Sequence, residues 1–186
     1  MKNVTEVAAA RVETEQGPVW VLATEGGVRE VRLGAAGRPS GRALRAAGLR
    51  LVRRPRWTEP VCRELTRYFS GAPVAFDAPL DLGAGTPFER RVWEVTRRVP
   101  YGAVVSYGWI AARTGSPRAA RAVGNALGQN PIPILIPCHR VILGSSGIGG
   151  FSGGLTWKRF LLELERGQIE MTFRARGRLT LRAHRA

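Results

Sequence analysis

The chain has 186 residues, is 44% hydrophobic and carries a formal net charge of +15, which is enough apolar content to pack one domain or two small ones. Two cysteines exclude a disulfide framework. With two histidines and no C-x-x-C or H-x-x-x-H spacing, a dedicated zinc site is not expected. No apolar run approaches the ~20 residues a membrane span needs, and the start, Met1 to Glu6, has no signal-peptide core; a soluble protein of a reducing, cytoplasmic compartment (or a nucleus) is the expectation.

Apolar alternation predicts strands over 4–12, 19–24 and 28–33, with turns at Glu15-Gln16-Gly17 and Glu25-Gly26-Gly27, and a small antiparallel sheet is their natural product. A helix follows over 58–69, with Val61, Cys62, Leu65 and Phe69 on one side and Pro60 in its first turn. Residues 79–85 have the character of a linker, and the charge balance changes there. Residues 1–85 hold 13 basic against 9 acidic side chains, while 86–186 hold 16 against 5. A boundary near residue 85 separates an N-terminal scaffold domain (1–85) from a second domain (86–170) and a basic tail (171–186). The excess of charge in the second half fits a polyanionic partner or a solvated basic surface.

The second domain opens on Thr86-Pro87-Phe88-Glu89, a capping-box pattern with proline at the first helical position. Phe88, Val92, Val95 and Val99 share the apolar face of that helix, which Pro100-Tyr101-Gly102 ends. A short helix over 107–113, a turn at Thr114-Gly115 and a helix over 117–127, with Ser116 as cap and Pro117 at its first position, give a helix-turn-helix. Arg118 and Arg121 are the only long cations on the second helix, beside Ala119, Ala120, Ala122 and Gly124. Such small side chains suit tight helix packing or close approach to a nucleic-acid backbone, and both readings stay open. A last helix over 156–165 shows Trp157, Phe160, Leu161 and Leu164 on its apolar face.

Between these helices, the prolines of Pro131-Ile132-Pro133-Ile134-Leu135-Ile136-Pro137 fix φ and remove backbone donors ahead of Cys138 and His139. The cysteine reads as a mounted nucleophile or as a buried core thiol. Adjacent residues project in different directions, so His139 is badly placed to bond Cys138 directly and a bridging water is the better route. Glu163 or Glu165 could orient its ring. Six glycines among residues 144–154 make a loop that offers N–H groups to a ligand or is merely flexible.

These pieces together resemble the O6-alkylguanine-DNA alkyltransferases, through Ser106-Tyr107, Arg118 to Gly124, Asn130 to Ile142 and Phe151-Ser152-Gly153-Gly154-Leu155. The resemblance runs colinearly from about Thr86 to Glu165; over 1–85 it is only of size and of strand-then-helix order. It implies an α+β fold, with a small antiparallel-sheet, ribonuclease H-like N-terminal domain and a mainly helical C-terminal domain. It further implies direct-reversal repair of double-stranded DNA containing O6-alkylguanine, by flipping the base through the minor groove and moving its alkyl group once, irreversibly, to Cys138. His139, a water and Glu165 would deprotonate the thiol. Tyr107 would meet the flipped base, and Arg121 would replace it in the stack, beside DNA contacts from Arg118, Ala119, Ala120, Ala122 and Gly124. The carbonyls of Cys138 and Val141 would accept from the guanine amino group and the Ser152 amide would donate to O6. Asn130 would tie the second helix to the cysteine loop, with Pro133 and Phe151 as pocket walls. No cofactor, metal or membrane partner is expected, and the protein is expected as a monomer, with cooperative assembly on DNA left open. The rivals are a non-transferring alkyltransferase-like damage binder, against which Cys138 argues, and a cysteine hydrolase, which would need a direct Cys-His pair.

Overall fold

Where the first 33 residues alternate, the backbone pairs. The computed structural model describes residues 4–83, 85–144, 147–166, 169–173 and 179–183. It divides into two units, residues 1–84 and 85–186. In the first, β1 (Thr5–Val12), β2 (Val19–Thr24) and β3 (Gly27–Leu33) form an antiparallel meander. The sheet is nevertheless mixed. A fourth strand, β4 (Leu49–Leu51), pairs parallel with β1, giving the order β3-β2-β1-β4. The antiparallel expectation missed it because only Leu49 of its three residues is buried, too short a run for a two-residue period to register.

Helix α1 (Gly41–Ala46) supplies the crossover into β4, and its Leu44 joins Val7, Leu22 and Leu49 in the core. Helix α2 (Pro55–Phe69) begins three residues before the expected start, because Pro55 takes the first helical position. Pro60 lies further inside, on the exposed side. The buried residues are Thr58, Val61, Leu65 and Tyr68, whereas Cys62 and Phe69 are half-buried. The stretch that reads as a linker is stitched to the edge of β3. Val28 N donates to Pro79 O and Asp81 N to Val28 O, both at 2.8 Å, and the Asp81 carboxylate accepts from Thr24 Oγ1 and Arg29. Gly27 is required there: φ is +132° and a Cβ would lie 2.2 Å from Pro79 O.

The second unit opens with α3 (Pro87–Arg97). Its capping box is formed, with Glu89 N donating to Thr86 Oγ1 at 3.3 Å and Thr86 N to the Glu89 carboxylate at 2.8 Å. Val92, Trp93 and Thr96 are buried, and Trp93 Nε1 donates to Ala126 O at 2.8 Å. Helix α4 (Tyr107–Arg113) is capped by the Ser106 hydroxyl. Helix α5 (Ala120–Gly128) starts three residues later than its sequence signals suggest. Ser116 does not cap it: Ala119 N donates to Ser116 O at 2.8 Å, closing a turn over Pro117 and Arg118 before helical bonding begins.

A ladder of two residue pairs then sets the site. Strand β5 (Val105–Ser106), immediately before Tyr107, pairs parallel with β6 (Val141–Ile142), immediately after the Cys138–Arg140 turn. Helix α6 (Leu155–Glu165) buries Trp157, Lys158, Leu161, Leu162 and Glu165; Phe160 and Leu164 of the expected face are only half-buried. Beyond it β7 (Ile169–Phe173) pairs antiparallel with β8 (Leu179–Ala183), where the sequence left hairpin and basic tail unresolved. Arg174, Arg176, Arg178 and Arg185 of that tail, and Ser145 and Ser146 of the glycine-rich loop, lie outside the described residues.

Candidate active site

The cysteine is held by the backbone just before it. Ile136 N donates to Ile132 O at 2.9 Å, and between them Ile134 sits at φ +78°, a left-handed conformation that costs a β-branched residue of order 1–3 kcal/mol. Asn130, just beyond α5, compensates by organising the turn: its Oδ1 accepts from Ile132 N at 3.0 Å and its Nδ2 donates to Ile136 O at 2.9 Å. The same Nδ2 lies 3.0 Å from Cys138 Sγ. Asn130 thus joins the end of the second helix to the loop and also touches the thiol. Cys138, 4% exposed, opens one 3₁₀ turn running to Arg140.

Burial pushes the Cys138 thiol up to about 11, while the Asn130 donor, the Lys158 charge and nearby backbone amides act in the opposite direction. A thiol in that state is almost wholly protonated near neutrality and needs a base. His139 is buried, with Nε2 2.8 Å from Glu165 Oε1. Of the two carboxylates the sequence left open, Glu165 is the partner; Glu163 is exposed. Glu165 also accepts from Gly102 N at 3.0 Å and, in a forked pair, from Arg140 Nε and a terminal guanidinium nitrogen at 3.0 and 2.9 Å. Burial opposes its charge, but His139 and then Arg140 outweigh that and hold the carboxyl well below the usual range. Burial favours the neutral form of His139 and lowers its pKa from the ordinary 6.5.

A cavity of about 260 Å³ opens beside the thiol, lined by Tyr107, Gly124, Leu127, Gly128, Cys138 and the Gly150-Phe151-Ser152 segment. It is smaller than the roughly 300–1,000 Å³ of drug-sized sites and suits one planar ring system. Tyr107, from the start of α4, passes close to two glycines: a Cβ on Gly149 would lie 2.9 Å from its hydroxyl and one on Gly124 3.7 Å from its ring. Burial, then the neighbouring Cys138, raises the Tyr107 phenol. Phe151 meets the His139 ring edge-on with centroids 6.4 Å apart. Pro133 and Val141 are buried but do not line the cavity. On α5, Val123, Ala126 and Leu127 face the core, while Arg121 and Ala122 are exposed, as is Arg118 in the preceding turn. One side of the helix thus packs against the core and the other is open, which shows the packing reading and leaves the second to be tested.

Two residues to which the sequence assigned no role complete the site. Arg140 is the buried counter-charge of Glu165 and also donates to Val99 O at 2.6 Å. Lys158, fully buried on α6, donates to Val141 O at 2.6 Å and Gly150 O at 3.0 Å, clamping the strand after the cysteine to the loop before Phe151. Burial brings its ammonium down to about 8. Its signal was legible: a lysine among 27 arginines, set next to Trp157 and three before Leu161 on an apolar face. Among the described residues no group of His, Cys, Asp and Glu could hold a metal ion, and no helix is long and apolar enough to cross a membrane.

An α+β protein with a thiol walling a small cavity, a buried His-Glu-Arg cluster behind it and a helix-turn-helix beside it is a defined class. A family model described as the DNA-binding domain of 6-O-methylguanine DNA methyltransferase matches residues 87–167. A Mycobacterium tuberculosis methylated-DNA–protein-cysteine methyltransferase is 51% identical over 105 residues, covering 56% of this chain and 63% of the relative. The matched stretch thus spans under two thirds of that relative's length. The solved M. tuberculosis O6-methylguanine methyltransferase is 38% identical, with a TM-score of 0.73 over 86% of this chain and 93% of that one. The same protein in complex with DNA gives 38% and 0.72 over 87% and 92%. The chain belongs to the O6-methylguanine-DNA methyltransferase family.

Proposed function

We propose that the protein repairs DNA by taking the alkyl group from O6-alkylguanine onto Cys138. The observation that carries this reading is the thiol itself, at the wall of a ring-sized cavity, touched by Asn130 and followed by the buried His139–Glu165 pair. In the transfer, Cys138 Sγ forms a bond to the alkyl carbon as the C–O6 bond breaks and its electron pair stays on guanine. The thiol proton passes through a bridging water to His139, which Glu165 holds from the far side. Guanine regains a proton from Tyr107, which is replenished from solvent. A hydrogen bond from the Ser152 amide to O6 and acceptance from the guanine amino group by the Cys138 carbonyl would hold the base; Val141, outside the cavity lining, is not given that part.

The base must leave the duplex to reach Cys138, at a few kcal/mol of unstacking. Arg121, exposed on α5, would fill the gap, with Arg118 on a phosphate and Ala119, Ala120, Ala122 and Gly124 allowing close approach. Arg121→Ala is expected to slow transfer from duplex DNA by about 10-fold or more, and to leave transfer from the free alkylated base within about twofold; equal losses on both substrates would contradict the role.

A thioether has no route back to a thiol here, so each molecule acts once. With protein limiting, lesions consumed should equal protein added and then stop; continued turnover would refute the reading. The names of the relatives and the DNA complex of the solved homologue support it. The pH dependence follows from His139. A base works only while deprotonated, so transfer is lost as pH falls through its pKa, and the acid limb of the rate profile is expected below pH 6.5. A limb centred above that value would exclude His139 as the proton acceptor.

A further inference from the structure

Outside the site, ten of the twelve arginines of the first unit fall into two groups; Arg63 and Arg67, exposed on α2, belong to neither. Those on and beside the sheet are neutralised: Arg11 by Glu13, Arg29 by Asp81, Arg32 by Glu30 and Arg50 by Glu6. The second group is Arg38, Arg42, Arg45, Arg53, Arg54 and Arg56. All six are exposed, and none forms an ion pair among the described residues. No carboxylate occurs between Glu30 and Glu59, so the segment carries no counter-charge of its own; Glu6 of β1 reaches Arg50 in it. Its backbone is anchored. Leu44 on α1 and Leu49 on β4 sit in one core cluster, and Val52 N donates to Val7 O at 2.8 Å, so Arg42 and Arg45 project from a packed helix and Arg53 and Arg54 from just past a strand, with Arg38 ahead of α1 and Arg56 in the first turn of α2. Arg45 folds back along α1, its guanidinium 3.8 Å from where a Cβ on Gly41 would stand. A solvated face of this kind ordinarily mixes signs. Six exposed cations within a 19-residue stretch (38–56) that holds no carboxylate suit a polyanion such as a run of phosphates.

We propose that this basic stretch of the first unit, residues 38–56, is a second DNA-backbone contact, binding phosphates without reading sequence; the inference rests on the DNA-repair reading above. Arginine and lysine are both adequate as point charges towards phosphate, so the contact depends on charge and not on side-chain shape.

The test is the salt dependence of binding to an undamaged duplex by the full chain, for wild type, the triple variant Arg42→Ala, Arg45→Ala, Arg54→Ala, and the matching triple lysine variant. Each lost phosphate contact reduces the slope of log K against log salt by roughly 0.9, so the alanine variant should be shallower by about 2 to 3 and the lysine variant should keep the wild-type slope. All three proteins should react with free O6-benzylguanine at the same rate, which separates this outcome from a failure of the catalytic reading or of folding. An alanine variant that reacts normally and keeps the wild-type slope overturns the proposal, and does so equally if the patch proves to serve an acidic protein. A wild type that binds DNA but never alkylates Cys138 overturns the repair reading alone.

Discussion

Cys138→Ser is expected to abolish alkyl transfer, by at least about 10³-fold or roughly 4 kcal/mol of barrier, while leaving affinity for duplex DNA within about twofold. The chemical loss follows from the nucleophile. Even the thiol, pushed up to about 11 by burial, would on this proposal need the His139–Glu165 pair and the Asn130 donor 3.0 Å from Sγ; a serine hydroxyl is far harder to ionise and a poorer nucleophile for carbon. Binding would be spared because Cys138 is 4% exposed and the cations proposed to meet DNA, Arg118 and Arg121, stand in and just before α5, outside the Cys138–Arg140 turn. Loss of DNA binding in the serine variant, measured by fluorescence anisotropy, would show that recognition and chemistry are not divided in this way. Asn130→Ala should act on both. It removes the donor to the sulfur, so the thiol pKa rises further and transfer slows, and it frees the Ile132 and Ile136 backbone groups that hold the strained turn at Ile134.

Glu165→Gln is expected to cost about 3–5 kcal/mol of stability, because it leaves the Arg140 guanidinium buried without its counter-charge. Glu165 is 2% exposed and accepts from His139, Arg140 and Gly102, so water cannot replace it. The sign of the pH dependence is fixed. Its carboxyl is held below the ordinary 4.5, so its contribution is fully present above that value and is lost as pH falls through the folded-state value. Wild type should lose stability steeply below pH 4.5, and the glutamine variant, already weaker at neutral pH, should show a flatter acid arm. Urea melts at a series of pH values measure both. A variant as stable as wild type at pH 7 would mean that the carboxylate is not what neutralises Arg140.

How much of this was visible in the sequence depends on the length over which each feature is written. Thr86 to Glu89 specify a helix start within four residues, by side chains that bond only their own backbone, and the structure has that capping box. The prolines around Cys138 announce an irregular, restrained loop, and the loop is irregular and tied down by Asn130 and by the Ile136–Ile132 bond. Glu165 could have been separated from Glu163 by period alone, since it lies on the helix side of Leu161 and Leu162 while Glu163 points away. Lys158 was readable on the same ground. The ladders of β4, β5 and β6 were not: strands of two or three residues carry no alternation, and their partners lie 44 residues away for Leu49 on Thr5 and 36 for Val141 on Val105. The late start of α5 was hidden for a different reason. Ser116 and Pro117 suit a helix start as well as the turn they form, and the choice between them is made by tertiary packing. Arg140 was overlooked because its partner stands 25 residues further on and nothing local marks an arginine as buried.

The central claim is that Cys138 takes up the alkyl group. Incubating the protein with duplex DNA containing O6-methylguanine and mapping its peptides by mass spectrometry tests this directly. The expected result is one methyl group on the peptide containing Cys138, none on Cys62, and an amount equal to the lesions lost. Tight binding to the damaged duplex with an unmodified Cys138 peptide would contradict it.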